Sequence, residues 1–223
     1  MHRCALVWVV LACAVRAAHE GDWSAFGLAE VIGFATVGGP LTGGAGGVLR
    51  NFTDRDGPDE LARWLNETLD VPRVAQIHGI IDCSDFLEWL RPRGDTTLVG
   101  AGDGATLLNG RVWIEGVSNV VVRGLRFETS GAARWPEAQM AKSDAVRLVG
   151  GAHRVWIDHC TFTRYPDGLV DVTQARRFAS RSAVSTATQA SHSVTISWCR
   201  FDHHDKLSLV GAGPKDVEDV AST

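Results

Sequence analysis

The second half of the chain carries side chains of the types that acid–base, metal and anion chemistry use. Asp158 and His159 are adjacent, His203 and His204 are adjacent, and His204 opens the run His204-Asp-Lys-Leu-Ser-Leu-Val-Gly211. By composition Asp158 and His159 look like a catalytic pair, since a carboxylate beside an imidazole can orient a general base. Successive strand residues face opposite sides, however, so the pair reads as structural and hydrogen-bonded. Adjacent histidines suggest zinc, but His203 and His204 would diverge on a strand. No cysteine or third histidine stands at ligand spacing, so zinc is not expected.

Placing such groups falls to many short strands. Beyond Arg73 the sequence breaks into β-rich runs: Val74 to Ile81, Thr97 to Val99, Val112 to Ile114, Val120 to Val122, Ala145 to Leu148, Val155 to Ile157 and Val194 to Ile196. No second helix of any length is expected among them. Three segments superpose without gaps: Val120-Val-Val-Arg-Gly-Leu-Arg-Phe127, Val155-Trp-Ile-Asp-His-Cys-Thr-Phe162 and Val194-Thr-Ile-Ser-Trp-Cys-Arg-Phe201. Each is apolar at its first, third and eighth positions. A single coil cannot bury its apolar face until the next coil stacks on it, so the repeat predicts a solenoid, with parallel rungs about 4.8 Å apart. The superposition puts Leu125, Cys160 and Cys199 in one column and Phe127, Phe162 and Phe201 in another, the latter a core stack. Upstream, Leu61, Trp64, Leu65 and Leu69 are helically spaced over Glu60 to Leu69, which predicts one short amphipathic helix across an end of the fold. The glycine-dense stretch between Ala25 and Leu49 reads as a winding lead-in of turns and close backbone approaches.

Four strings, Val155-Trp-Ile-Asp-His159, Asp167-Gly-Leu-Val-Asp171, Val194-Thr-Ile-Ser-Trp198 and the Lys206 run, stand in the order found in pectate lyases. Gly100-Ala-Gly-Asp-Gly-Ala-Thr and Asn119-Val-Val-Val lie upstream of them. From about Val31 onward the sequence resembles that family. The resemblance implies an all-β, right-handed parallel β-helix. It also implies a secreted, calcium-dependent lyase that cleaves de-esterified polygalacturonate by β-elimination: a base removes the C5 proton of a galacturonate and the 4-linked sugar leaves. The C5 proton is weakly acidic, so a hard cation on the adjacent carboxylate would stabilise the developing charge. Calcium suits this because it takes oxygen ligands in loose geometry and can bridge protein carboxylates to a polyanion.

Matched to the family's pattern, Asp144, Asp167 and Asp171 are the implied calcium ligands, and Lys206 is the implied substrate-binding and catalytic lysine, a point charge for a galacturonate carboxylate. Taken singly, aspartates in loops more often solvate a surface or cap a turn. On a straight strand Asp167 and Asp171 would stand about 13 Å apart, so Pro166 and Gly168 must bend the chain there. The resemblance also sets Asp158 and His159 away from the cleft. Where many pectate lyases have a further acidic ligand two residues before Asp144, this chain has Lys142, which could repel the ion or meet the substrate. A second departure is an excess of 15 residues, the offset between the repeated strings Thr173-Gln-Ala and Thr188-Gln-Ala. It reads as a surface loop, and its Arg176, Arg177 and Arg181 could contact polygalacturonate. No arginine follows Lys206, whereas the family's base arginine comes from later coils. The sequence therefore reads as a β-helix whose C-terminal coils are missing, with two other readings open. One is an inactive or truncated pectin-binding β-helix; the other is a calcium-independent pectin lyase, in which a basic group replaces the metal.

Composition bounds the same picture. With 223 residues and 45% hydrophobic content, one domain with a sizeable core is the simplest organisation. Met1 to Ala17, with a basic start, the apolar run Cys4 to Val15 and small residues at its end, reads as a signal peptide, leaving 18–223 as the domain. Its removal leaves 20 basic against 26 acidic residues, a net charge of −6, which argues against nucleic-acid binding. No later segment is long and apolar enough to span a bilayer. The expectation is a secreted, extracellular monomer acting on pectin. Cys83, Cys160 and Cys199 then remain, enough for at most one internal bridge. Cys160 and Cys199, on neighbouring rungs, are the pair that could form it. Asn51-Phe-Thr and Asn66-Glu-Thr are glycosylation sequons.

Overall fold

The computed structural model describes residues 33–68, 71–131, 134–140, 143–173 and 190–211. The segment read as a leader, Leu69, Lys142 and the insert's Arg176, Arg177 and Arg181 lie outside them. The strands are β1 (Val48–Phe52), β2 (Arg73–Asp82), β3 (Thr96–Leu108), β4 (Val112–Glu115), β5 (Ser118–Arg123), β6 (Arg126–Glu128), β7 (Val146–Val149), β8 (His153–Asp158), β9 (Thr161–Thr163), β10 (Val170–Val172), β11 (His192–Ser197) and β12 (Arg200–Asp202). Every pairing of these strands is parallel. One sheet runs β11-β8-β5-β3-β6-β9-β12, with β2 and β1 continuing from β3; the other runs β10-β7-β4. The chain thus winds as a right-handed parallel β-helix, the hand that parallel crossovers take.

The register matches the repeat residue for residue. Val120 pairs with Val155 and Val155 with Val194. Phe127 pairs with Phe162 and Phe162 with Phe201. Their rings stack with centroids 5.0 and 5.4 Å apart. Phe127 and Phe162 are fully enclosed, whereas Phe201 is only half-buried against the same core. Phe201→Ala is therefore expected to cost about 1–2 kcal/mol, less than a fully buried phenylalanine, measured as a lowered urea midpoint.

The fifth position of the repeat is a corner. Gly124, His159 and Trp198 all have left-handed φ values, +63°, +50° and +52°. His159 is therefore not on a strand opposite Asp158: it turns the chain between β8 and β9, and its Nδ1 lies 2.6 Å from Asp158 Oδ2. The hydrogen bond expected of this pair is present, but the alternation of strand faces does not apply to it.

Helix α1 (Gly57–Asn66) starts three residues earlier than the apolar spacing predicts, because Pro58, Asp59 and Glu60 form a favourable first turn. It buries Leu61, Trp64 and Leu65 and sets Trp64 edge-on against Phe52 at 5.4 Å. A second α-helix among the described residues, α2 (Glu137–Met140), is one turn long. Glycines let the lead-in lie directly on backbone: a Cβ at Gly44 would stand 1.8 Å from Arg73 O, and one at Gly47 1.7 Å from Pro72 O. Asn119 fixes this segment by accepting hydrogen bonds from the Thr42 and Gly43 amides, both at 2.9 Å. Ala35 and Leu41 then cover Val121 and Trp156 on the outer sheet face. Cys83, Cys160 and Cys199 are free thiols. Both sequon asparagines, Asn51 and Asn66, are exposed.

Candidate active site

The second sheet builds the site. Its inward residues Val112, Val146 and Val170 share one register, as do Ile114, Leu148 and Val172. The position between them points away from the core and is occupied in turn by Trp113, Arg147 and Asp171. Asp144 lies just before β7 and is fully buried, and Asp171, in β10, is nearly so.

The two carboxylates meet across Gly168. A Cβ on that residue would stand 2.8 Å from Asp144 Oδ1 and 2.9 Å from Asp171 Oδ1, so any larger residue would intrude on the pair. The Gly168 amide donates to Asp144 Oδ1 at 2.9 Å, and the Leu209 amide donates to Asp171 Oδ1 at 3.0 Å. Both Oδ2 atoms approach the Arg147 guanidinium. Asp144 Oδ2 lies 2.9 Å from Arg147 Nε, and Asp171 Oδ2 lies 3.9 Å from Nη2. The shorter contact is an ion pair without hydrogen-bond alignment, and among the described residues Asp144 Oδ2 has no hydrogen-bonding partner. Burial, then the charge of Asp171, pushes the Asp144 carboxyl up to about 7 against the pull of Arg147. Burial also raises Asp171, although the Leu209 amide and Arg147 oppose it. Among the described residues Arg147, helped at Asp171 by Lys206, leaves this pair short of positive charge.

Asp167 is held elsewhere. Its Oδ1 contacts Lys206 Nζ at 3.2 Å, at the exposed rim. The chain bends at Pro166 and Asp167, so Asp167 lies close enough for its charge to raise both Asp144 and Asp171. Among the described residues no group of three or more His, Cys, Asp or Glu side chains converges for a metal ion. The structure thus brings Asp144 and Asp171 together, sets Asp167 beside Lys206, and sets that ion pair next to the first. Two buried, convergent, undercompensated carboxylates fit a hard cation that accepts oxygen ligands in loose geometry.

His204 serves this arrangement. Its Nδ1 accepts from the Lys206 amide at 2.8 Å while its other ring nitrogen meets Tyr165 O, which fixes the backbone that carries Lys206. His203 turns instead to Asp202, 2.9 Å away. Asp158 belongs to the other sheet and to a separate network. It accepts from Ser197 Oγ at 2.5 Å and lies 3.4 Å from Arg123, while Trp156 Nε1 donates to Ser197 Oγ at 2.8 Å. Ser197 donates to the carboxylate and not to an imidazole, so the cluster is not a nucleophile–base relay. A cleft of about 700 Å³ between α1 and the segment around Asp85 to Arg91 contains none of the predicted site residues.

Against known proteins, the family model described as pectate lyase matches residues 23–221. The chain belongs to the pectate lyase family. Pectate lyase D of Dickeya chrysanthemi is 30% identical over 196 residues, covering 80% of this chain and 50% of that protein. Pectate trisaccharide-lyase of Thermotoga maritima is 34% identical over 127 residues, covering 57% of this chain and 30% of that protein. The chain spans about half the length, or less, of these curated relatives. A pectate lyase from a Bacillus species, solved in complex with trigalacturonate, superposes with a TM-score of 0.63 at 19% identity, over 82% of this chain and 56% of that one. A pectate lyase from Acidovorax avenae subsp. citrulli superposes at 0.59 with 21% identity, over 82% and 59%. Both place this chain in the same right-handed β-helix fold.

Within the pectate lyase frame, the roles of three residues at the candidate site escape motif reading. Gly168 is legible only as a bend until the carboxylates on either side of it are placed. Arg147 sits among alternating apolar residues and passes for a solvated face; aligning Trp113, Arg147 and Asp171 as one column would have exposed it. His204 looks like half of a metal pair until its ring is seen bound to local backbone.

Proposed function

We propose that this protein is an exported pectate lyase that cleaves de-esterified polygalacturonate by β-elimination, with calcium held by Asp144 and Asp171 and Lys206 facing the substrate. The observation that carries this reading is the buried Asp144–Asp171 pair across Gly168, next to an exposed lysine. When bound, calcium would supply positive charge at the uronate carboxylate, where negative charge accumulates as a base takes the C5 proton and the bond to the 4-linked sugar breaks. Gly168 and the Leu209 amide fix the two carboxylates. Lys206, released from Asp167, pairs with a substrate carboxylate and orients the sugar, and the His204 ring holds the lysine backbone for that contact. Asp167 sits at the rim against Lys206 and would join the ligand set by leaving that contact once Lys206 turns to substrate. The leader at Met1 to Ala17 fits delivery to an extracellular polymer.

A second reading is favoured by one feature: Arg147 already sits against both carboxylates, as a basic group would in a calcium-independent pectin lyase. The deciding assay follows ultraviolet absorbance of the C4–C5 unsaturated product on polygalacturonate and on methyl-esterified pectin, with calcium or with chelator. Calcium-dependent signal on polygalacturonate is expected; chelator-resistant signal on esterified pectin would establish the second reading, and no signal on either from folded protein would sink both. Lys206→Ala is expected to raise KM for polygalacturonate about tenfold, the worth of one charge-assisted hydrogen bond. An unchanged KM would remove the lysine from the site.

A further inference from the structure

We propose that Arg147 is a built-in counter-cation that competes with the divalent ion for Asp144 and Asp171, so that it sets how much calcium the protein needs. The inference rests on the calcium reading above and concerns this chain's own residue. Three observations carry it. First, the guanidinium contacts both carboxylates on their Oδ2 atoms, at 2.9 and 3.9 Å, while backbone amides occupy the Oδ1 atoms. Arg147 therefore faces the two carboxylate oxygens that these backbone amides leave unengaged. Second, Asp144 Oδ2 is fully enclosed yet accepts no hydrogen bond from any of the described residues. The guanidinium balances its charge without satisfying its geometry, an arrangement that a better-fitting cation can displace. Third, the arginine has somewhere to go. Its guanidinium carbon lies 5.6 Å from the centre of the Trp113 ring, within the range of cation–π attraction, and the side chain is 20% exposed, so part of it already reaches water.

Trp113 is braced for that role. Its Nε1 donates to Glu115 Oε2 at 2.9 Å, Trp89 packs edge-on at 5.1 Å, and Arg91 from the preceding rung lies 4.9 Å from its centre. On cation binding the Arg147 guanidinium leaves the carboxylates and settles on this indole.

The test is calcium binding by the full chain without substrate, followed by titration calorimetry with calcium chloride. Arg147→Met keeps an apolar stem against Trp113 and removes the charge, and it is expected to bind calcium about tenfold or more tightly than the natural protein. Arg147→Lys, which keeps a charge but loses the fork, is expected to fall between them. If the methionine variant does not fold without metal, the lysine variant's calcium-induced rise in Tm, compared with that of the natural protein, reads the same competition. Equal or weaker binding by both variants would overturn the proposal, as would no binding by any form. This outcome is separable from the lyase reading. Tighter binding without unsaturated product would leave the competition standing and remove the activity; calcium-dependent product with unchanged affinity in the variants would do the reverse.

Discussion

Gly168→Ala is expected to weaken calcium binding by about 10- to 100-fold, the usual cost of disturbing the groups that orient metal ligands. Lyase activity at limiting calcium should fall in step. The backbone at Gly168 is not left-handed, so alanine brings no strain of its own and β10 should still form. What alanine brings is a methyl group within 2.9 Å of both carboxylate oxygens, closer than carbon and oxygen normally approach. The carboxylates must part, and each must then loosen the hydrogen bond it accepts from Gly168 or Leu209. Excess calcium should restore much of the rate, because the ligands remain present and only their convergence is lost. The check is a calcium titration of initial rate alongside calorimetry and the unfolding midpoint. Unchanged affinity with unchanged folding would mean that the cation, if it binds, is held elsewhere.

How far the sequence reveals this arrangement depends on which periodicity a segment obeys. The sheet that carries Phe127, Phe162 and Phe201 is legible because its repeat is long and ungapped, so one register explains eight consecutive positions at once. The sheet that builds the site is made of strands only three or four residues long. Their inward valines are common to any buried strand, and their outward column changes from indole to guanidinium to carboxylate. No residue type repeats there, so nothing in the sequence announces that Arg147 abuts Asp171. The three aspartates are suggested by motif, but motif cannot separate Asp144 and Asp171, which converge, from Asp167, which Lys206 engages. The helix boundary shifted for a similar reason: apolar spacing locates the buried face, while the first turn is set by Pro58 and two acids that bury little. Asp158 and His159 illustrate the opposite error of geometry. They are hydrogen-bonded as expected, but through a left-handed corner that alternation along a strand cannot foresee.

That corner leads to the largest expected effect on stability. Asp158→Ala should lower the unfolding free energy by about 3–5 kcal/mol, the cost of removing one partner from a buried charged network. The carboxylate is 1% exposed and serves Ser197, His159 and Arg123 together. Without it the Ser197 hydroxyl loses its enclosed acceptor and keeps the contact with the Trp156 indole, and Arg123, 5.0 Å from the centre of that indole, loses its ion pair with Asp158. Asp158→Asn should recover part of the loss, since an amide oxygen can still accept from Ser197, but not the ion pair with Arg123. The same pair of variants decides whether this aspartate and His159 do chemistry. A positioning role in the rungs predicts that the folded asparagine variant, assayed below its unfolding midpoint, retains its pH–rate profile on polygalacturonate and nearly its full kcat. A catalytic role predicts a collapsed kcat at undiminished stability. The first outcome is the expected one, because Asp158 lies on the sheet opposite the carboxylate pair and the ring it orients is tied to a turn.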